Sequence, residues 1–104
     1  MTVQELKRLI DGNEDITIID IREAYEFEDG SICELNIPLA QFLSKINDIP
    51  KDKLVVLYCN SGKRSCSLKY MIEKLHSFNN LTHLEGGFQN WQEEAIFENH
   101  LLDG

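Results

Sequence analysis

The sequence lacks a long hydrophobic segment. No apolar run approaches the roughly 18 residues that a membrane-spanning helix requires, and the first residues have neither the basic stretch nor the long apolar stretch of a secretory signal. If the chain is complete, these absences predict a cytoplasmic protein that does not engage a membrane.

Positive charge is also scarce. Ten lysines and arginines stand against 18 aspartates and glutamates, which gives a net charge of −8. Nucleic-acid binding requires clustered cations, so nucleic acid is excluded as an expected partner. The same charge repels small anionic substrates at long range unless a local positive site reverses the field.

Cysteine is limited to three residues, and no two of them form a CxxC pair. This pattern is neither a disulfide framework nor a zinc-binding motif, and it indicates reduced thiols. The three histidines share no regular spacing with one another or with the cysteines, so a metal site is not expected. The cysteines are Cys33, Cys59 and Cys66, and the histidines are His76, His83 and His100.

The 104 residues are enough for one small domain, predicted to span 1–104 with fraying from about residue 99. Thr2 and Glu5 form a capping box that begins a helix, and Gly12 is its expected stop. Hydrophobic periodicity predicts further helices at about 23–29, 39–47, 65–78 and 88–94, and strands at 16–21, 32–36, 54–58 and 82–84. The alternation indicates an α/β domain with a small, mainly parallel sheet flanked by helices.

Three polar or glycine-rich segments follow predicted strands: 20–23, 59–65 and 85–87. Because ligands of open α/β sheets bind at the carboxyl ends of the strands, we expect these segments to meet at one edge. Only 59–65 contains a strong nucleophile, Cys59.

The loop after Cys59 is suited to holding an anionic sulfur. A thiol between a buried strand and a helix faces unpaired backbone N–H groups, and the helix dipole adds positive potential. Gly62 supplies the backbone freedom for the turn, while Lys63 and Arg64 add positive charge. These features predict a lowered Cys59 pKa. If Cys59 were an inert buried cysteine, the presence of Gly62, Lys63 and Arg64 within one turn after it would have no explanation.

Four segments of the sequence resemble the rhodanese family. Cys-Asn-Ser-Gly-Lys-Arg-Ser at 59–65 is similar to the family's Cys-x-x-Gly-x-Arg-Ser loop, and 20–23 with Glu26 to its Asp-x-Arg-Glu segment. Residues 30–39 resemble its Gly-His-Ile…Asn-Ile-Pro stretch, and 86–91 its Gly-Gly-x-x-x-Trp segment. Two departures occur: Ser31 replaces the usual His, and Glu34-Leu35 stands where a small residue is usual.

The resemblance implies a rhodanese-like three-layer fold and a thiosulfate sulfurtransferase. Cys59 would take sulfur from thiosulfate or another persulfide donor and pass it, as a persulfide, to cyanide or a thiol. The surrounding loop would bind the sulfur or the donor anion, and no metal or organic cofactor is implied. The loop residues are Asn60, Ser61, Gly62, Lys63, Arg64 and Ser65.

Two alternatives remain. Cysteine phosphatases and arsenate reductases also place an arginine after a cysteine loop, but their loop is one residue longer than the four residues between Cys59 and Arg64. They also need an acid for a poor leaving group, and this loop contains none. The second alternative is a carrier or partner-binding module that is loaded by a protein persulfide. The net negative charge favours this alternative, because it disfavours free thiosulfate as the donor.

Other chemically active side chains are expected to be structural. Cys66 could resolve an oxidised Cys59 or accept its sulfur, but packing against the sheet is the favoured interpretation, and Cys33 is interpreted in the same way. Asp20 and Arg22 are expected to brace the site by pairing with Glu23 or Glu26, or with the loop backbone. Phe88 and Trp91 either line the pocket mouth or anchor the last helix.

Overall fold

The computed structural model describes the backbone of residues 1–103 and the side chains of residues 1–98. The strands are β1 Ile16–Asp20, β2 Leu35–Asn36, β3 Leu54–Tyr58 and β4 Leu81–His83. The helices are α1 Val3–Asp11, α2 Ala24–Asp29, α3 Leu39–Phe42, α4 Lys63–His76 and α5 Gly87–Asp103, and a 3₁₀ segment, Leu43–Asp48, continues α3.

The described strands form one parallel sheet in the order β2-β1-β3-β4. β1 and β3 pair over their full length, from Ile16 opposite Leu54 to Asp20 opposite Tyr58. Their carboxyl ends are therefore level, which places the residues after each strand at one edge. The predicted α/β fold with a mainly parallel sheet is confirmed.

The central strand β3 is buried on both faces, as its continuous apolar run requires. Val55 and Leu57 pack into one cluster with Leu68 and Ile72 of α4. Val56 packs into a second cluster on the opposite face, with residues of α1 and α5. The three layers implied by the family resemblance are therefore present.

Helix α1 begins where the sequence predicts. The Thr2 side chain accepts a hydrogen bond from the Glu5 N–H at 3.1 Å, and Val3 and Leu6 are buried. None of the helices in the described part of the chain is long and apolar enough to cross a membrane.

Element boundaries differ from prediction mainly in the helices. α4 begins two residues earlier than predicted, and α5 continues to Asp103 rather than ending near residue 94. β2 is limited to two residues, and the predicted 39–47 helix divides into α3 and the 3₁₀ segment, with a kink at Lys45. The fraying predicted from about residue 99 lies outside the described side chains.

Candidate active site

The three segments predicted to converge do meet at the carboxyl edge of the sheet. The Ile21 N–H donates to the Tyr58 carbonyl at 3.0 Å, which links the segment after β1 to the residue before Cys59. On the other side, the N–H groups of Phe88 and Gln89 donate to the carbonyls of Cys59 and Asn60 at 2.9 and 3.0 Å. The start of α5 therefore supports the cysteine loop from outside.

The Cys59 side chain lies inside its loop, and the residue is 0% exposed. Its Sγ accepts hydrogen bonds from the N–H of Gly62 at 3.1 Å and of Ser65 at 3.5 Å. The thiol lies 3.6 Å from Ser65 Oγ, to which it donates, and the Ser65 hydroxyl donates to the Gly62 carbonyl at 3.2 Å. The sulfur thus faces converging donors that would satisfy a thiolate.

The pKa of Cys59 is lowered from its ordinary value. Burial alone raises it, because desolvation disfavours the charged form. The N–H and hydroxyl of Ser65, with the N–H groups of Gly62 and Arg64, lower it by a larger amount. The predicted direction is confirmed, and its main cause is hydrogen bonding from the loop.

The early start of α4 explains these donors. Gly62 is the N-cap, and the first intrahelical bond runs from the Cys66 N–H to the Gly62 carbonyl at 3.1 Å. Lys63, Arg64 and Ser65 form the first turn, whose N–H groups have no partners within the helix. Three of the seven residues of the predicted 59–65 loop, Lys63, Arg64 and Ser65, are thus in the first turn of α4.

Two glycines allow the segments to approach. Gly62 has φ +96°, and a Cβ there would lie 3.1 Å from the Gly86 nitrogen. Gly87 has φ +58°, and its Cβ would overlap the Cys59 carbonyl oxygen and lie 2.7 Å from that of Asn60. No other residue type fits Gly87 without displacing the cysteine loop.

The charged side chains of the loop point to different surroundings. Arg64 lies 3.6 Å from Glu26, which connects α4 to α2. Lys63 is exposed and borders two depressions beside the loop. Asn60 borders a third, of about 470 Å³, together with Phe88 and acidic residues of α2.

Asp20 and Arg22 do brace the site, but not through the predicted partners. Arg22 pairs with Asp20 itself at 2.8 Å and donates to the Gly30 carbonyl at 2.6 Å, while Glu26 is paired with Arg64. The predicted pairing with Glu23 or Glu26 was wrong because the Arg22 side chain folds back onto the carboxylate of Asp20, two residues earlier, while Glu26 pairs with Arg64.

Tyr58 is the member of this network that sequence reasoning missed. Its hydroxyl donates to Asp20 at 2.8 Å and accepts from the Ile32 N–H at 3.0 Å. Burial raises the Tyr58 pKa, so the hydroxyl stays protonated. The available signal was a phenol at the last position of an otherwise apolar, buried strand.

The remaining candidates lie around the site. Cys33 packs against the second cluster, as predicted, but Cys66 is half-exposed and borders a depression with His83 rather than joining the core. Phe88 lines the Asn60 depression and also packs against the second cluster, as Trp91 does.

Among the described residues, no three His, Cys, Asp or Glu side chains form a group that could hold a metal ion. His100 lies outside the described side chains.

Comparison with known proteins extends over most of the chain. The family model for the rhodanese-like domain matches residues 2–94. A sulfurtransferase of Allochromatium vinosum is 30% identical over 95 residues, covering 89% of this chain and 87% of that protein. The uncharacterized protein YqhL of Bacillus subtilis is 40% identical over 75 residues, or 71% of this chain, and the match spans 59% of its length.

Solved structures agree with this assignment. The crystal structure of a rhodanese-related protein from Thermoplasma volcanium superposes with a TM-score of 0.79 at 30% sequence identity, covering 90% of both chains.

Proposed function

The chain belongs to the rhodanese-like domain family, and on that basis we propose that it is a sulfurtransferase carrying sulfur as a persulfide on Cys59. The observation that carries this proposal is the Cys59 sulfur held by the N–H groups of Gly62 and Ser65, with a lowered pKa. A thiolate in that position is both a nucleophile and a good acceptor of sulfane sulfur.

In the first step, the Cys59 thiolate attacks the outer sulfur of thiosulfate. A new S–S bond forms at Cys59, the S–S bond of thiosulfate breaks, and sulfite leaves with the bonding electron pair. In the second step, cyanide or a thiolate attacks the outer sulfur of the persulfide, and the Cys59 thiolate leaves. Both steps begin and end with negative charge on sulfur, which the loop N–H groups stabilise.

The geometry favours sulfur transfer over phosphoryl transfer. Arg64 is engaged with Glu26, whereas a phosphatase needs its loop arginine for a tetrahedral oxyanion. Sulfite is also a good leaving group, so sulfur transfer requires no general acid.

A protein-borne persulfide is a second candidate for the physiological donor. The net charge of −8 disfavours the approach of a free dianion such as thiosulfate. In this form the chain would act as a carrier between partners rather than as an enzyme with free substrates.

The test is steady-state thiocyanate formation from thiosulfate and cyanide. We expect many turnovers for the unmodified chain and a loss on the order of a thousandfold or more for Cys59→Ser. Cys66→Ser is the matched control and should retain activity. Turnover that survives in Cys59→Ser would refute the assignment, and a single stoichiometric transfer without turnover would favour the carrier.

A further inference from the structure

Glu26 of α2 forms an ion pair with Arg64 of the cysteine loop, with 3.6 Å between Oε2 and Nη2. Its other carboxylate oxygen, Oε1, accepts a hydrogen bond from the Glu23 N–H at 3.2 Å, within the capping box that begins α2. The two oxygens therefore have different partners. The capping box holds the carboxylate in place while its second oxygen faces Arg64.

This ion pair lies beside the loop that surrounds the reactive sulfur. Arg64 is in the first turn of α4, and its N–H is among the groups that lower the Cys59 pKa. Glu26 borders the depression of about 470 Å³ together with Asn60, the residue after Cys59. A carboxylate from α2 is thus attached directly to the cysteine loop.

The pair occupies one of the two cationic side chains that the loop offers to an anion, Lys63 and Arg64. Arg22 borders the same depression, but its guanidinium is paired with the buried Asp20 at 2.8 Å. A further carboxylate, Asp29, also lines it. An anionic donor that approaches from this side therefore meets carboxylates and cations that are already paired.

The ion pair is exposed enough to be broken by a competing anion. The Arg64 side chain is 39% exposed and that of Glu26 21%. Water screens a pair of this kind, so it is weak. A dianion can compete with Glu26 for Arg64, but it has to displace the carboxylate, whereas a donor that needs no cation has no such cost.

We propose that Glu26 sets the charge selectivity of the site. By pairing with Arg64, it disfavours small dianionic donors such as thiosulfate relative to donors that carry less charge. The inference rests on the proposed sulfurtransferase function and assigns a specificity-determining residue to that site. Glu26 acts through Arg64 rather than on the reacting atoms, so it is a positioning residue.

The first measurement is kcat/KM with thiosulfate for Glu26→Gln. Glutamine keeps an oxygen that can accept the Glu23 N–H, and it loses the charge that holds Arg64. We expect kcat/KM to rise by about fivefold, mainly through a lower KM, because Arg64 is then free to bind the donor.

Glu28→Gln is the matched control. Glu28 is exposed on the same helix, and residues two positions apart on a helix face different directions. The substitution removes the same charge from the chain and should leave kcat/KM unchanged. An equal rise in both variants would refute a specific role for Glu26, because it would reflect net charge alone.

A double-mutant cycle tests whether Glu26 acts through Arg64. Arg64→Gln should lower kcat/KM with thiosulfate. In that background the further change Glu26→Gln should have less than about a twofold effect, because no pair remains to be broken. The same increase in both backgrounds would show that Glu26 is only a repulsive charge, and the inference would be overturned.

Alkylation of Cys59 provides a readout that does not require sulfur transfer. Iodoacetate is an anion and iodoacetamide is neutral, and both react with the thiolate. The ratio of the two rates therefore cancels any change in the thiolate population. It should rise in Glu26→Gln, fall in Arg64→Gln and stay unchanged in Glu28→Gln.

The outcomes separate the two proposals. If thiosulfate loads Cys59 but neither kcat/KM nor the alkylation ratio changes in Glu26→Gln, the inference is overturned and the proposed function stands. If thiosulfate loads no variant but the ratio shifts as expected, the use of thiosulfate is overturned and the control of anion access by Glu26 stands. If there is neither loading nor a shift, both are overturned.

Discussion

At the scale of single residues, the reactivity of Cys59 depends on neighbours within one turn of helix. Burial opposes its ionisation, and the hydrogen bonds from Ser65, Gly62 and Arg64 outweigh that effect. Ser65 lowers the Cys59 pKa twice, through its N–H, which donates to the sulfur, and through its hydroxyl, which lies 3.6 Å from the sulfur. It is therefore the side chain whose removal should most directly change the thiolate population.

Ser65→Ala is expected to raise the Cys59 pKa, because the alanine retains the N–H and loses the hydroxyl. Below the Cys59 pKa the thiol is protonated and unreactive, so the acid limb of the alkylation rate should move to higher pH. At a given pH on that limb the rate should fall several-fold. The measurement is iodoacetamide modification of Cys59 against pH, followed by peptide mapping.

Ser67→Ala is the matched control, since Ser67 is exposed on the same helix. An acid limb that stays in place for Ser65→Ala would show that the backbone N–H groups alone hold the thiolate.

At the scale of single residues, the sequence predicted the relations between groups that are close together in the chain. Cys59, Gly62 and the first-turn donors lie within seven consecutive residues, so their relation follows from chain order. The Tyr58–Asp20 hydrogen bond joins residues 38 apart, and it depends on a strand register that the sequence does not specify.

At the scale of secondary-structure elements, α5 secures the cysteine loop. Its first-turn N–H groups donate to the Cys59 and Asn60 carbonyls, and Gly87 permits the close approach. The Gly-Gly pair was recognised from sequence as part of a family pattern. Its physical role became clear only from the packing of α5 on the loop.

Gly87→Ala is predicted to be strongly destabilising. The positive φ costs about 1–3 kcal/mol for a residue with a Cβ, and the overlap with the Cys59 carbonyl adds to it. The melting temperature should fall by roughly 5 °C or more, measured by circular dichroism. The loading rate of Cys59 should fall as well, because the loop must shift.

Gly12→Ala serves as the comparison, because Gly12 has φ −78° and its Cβ would lie 3.2 Å from the Arg8 carbonyl oxygen and in ordinary contact with the Glu14 side chain. Gly12→Ala should lower the melting temperature far less than Gly87→Ala does, and it should leave the loading rate of Cys59 unchanged. Equal effects of the two substitutions would contradict a specific role for Gly87.

Periodicity predicted the strands better than the helices. The bounds of β3 were predicted as observed because a short apolar run between Pro50 and a polar loop has one interpretation. α4 illustrates the limit: Leu68 and Ile72 are buried, but Met71 and Leu75 of the same predicted face are exposed. The described part of the chain leaves that side of the helix exposed.

At the scale of the whole molecule, the net negative charge repels the anionic donor that the cysteine loop is proposed to bind. The chain carries −8, whereas the positive charge of the cysteine loop comes from Lys63 and Arg64, and Arg64 is paired with Glu26. Far from the site the net negative charge repels thiosulfate, whereas close to the loop Lys63 and Arg64 attract it. Salt screens the long-range repulsion more strongly than the short-range attraction.

We predict that the rate of Cys59 loading by thiosulfate rises by about two- to threefold when ionic strength increases from roughly 0.01 to 0.15 M. Lys63→Gln should lower the rate at low salt and steepen the increase. Stopped-flow loading rates against ionic strength would test this. A rate that falls with salt would show that the local cations dominate the encounter.

Fold class was predictable from sequence at this scale because four segments matched one family in order, over most of the chain. The sequence contained no comparable signal for the depressions around the cysteine loop. One of them lies between the α3–3₁₀ segment and α4, whose relative placement is set by the sheet.

The central claim is that Cys59 carries sulfur as a persulfide, and intact-protein mass spectrometry tests it most directly. Reduced protein is mixed with thiosulfate and then with cyanide, alongside Cys59→Ser and Cys66→Ser. The account predicts a gain of about 32 Da that cyanide removes, present in Cys66→Ser and absent from Cys59→Ser. A gain that persists in Cys59→Ser, or no gain with either thiosulfate or a protein persulfide, would contradict it.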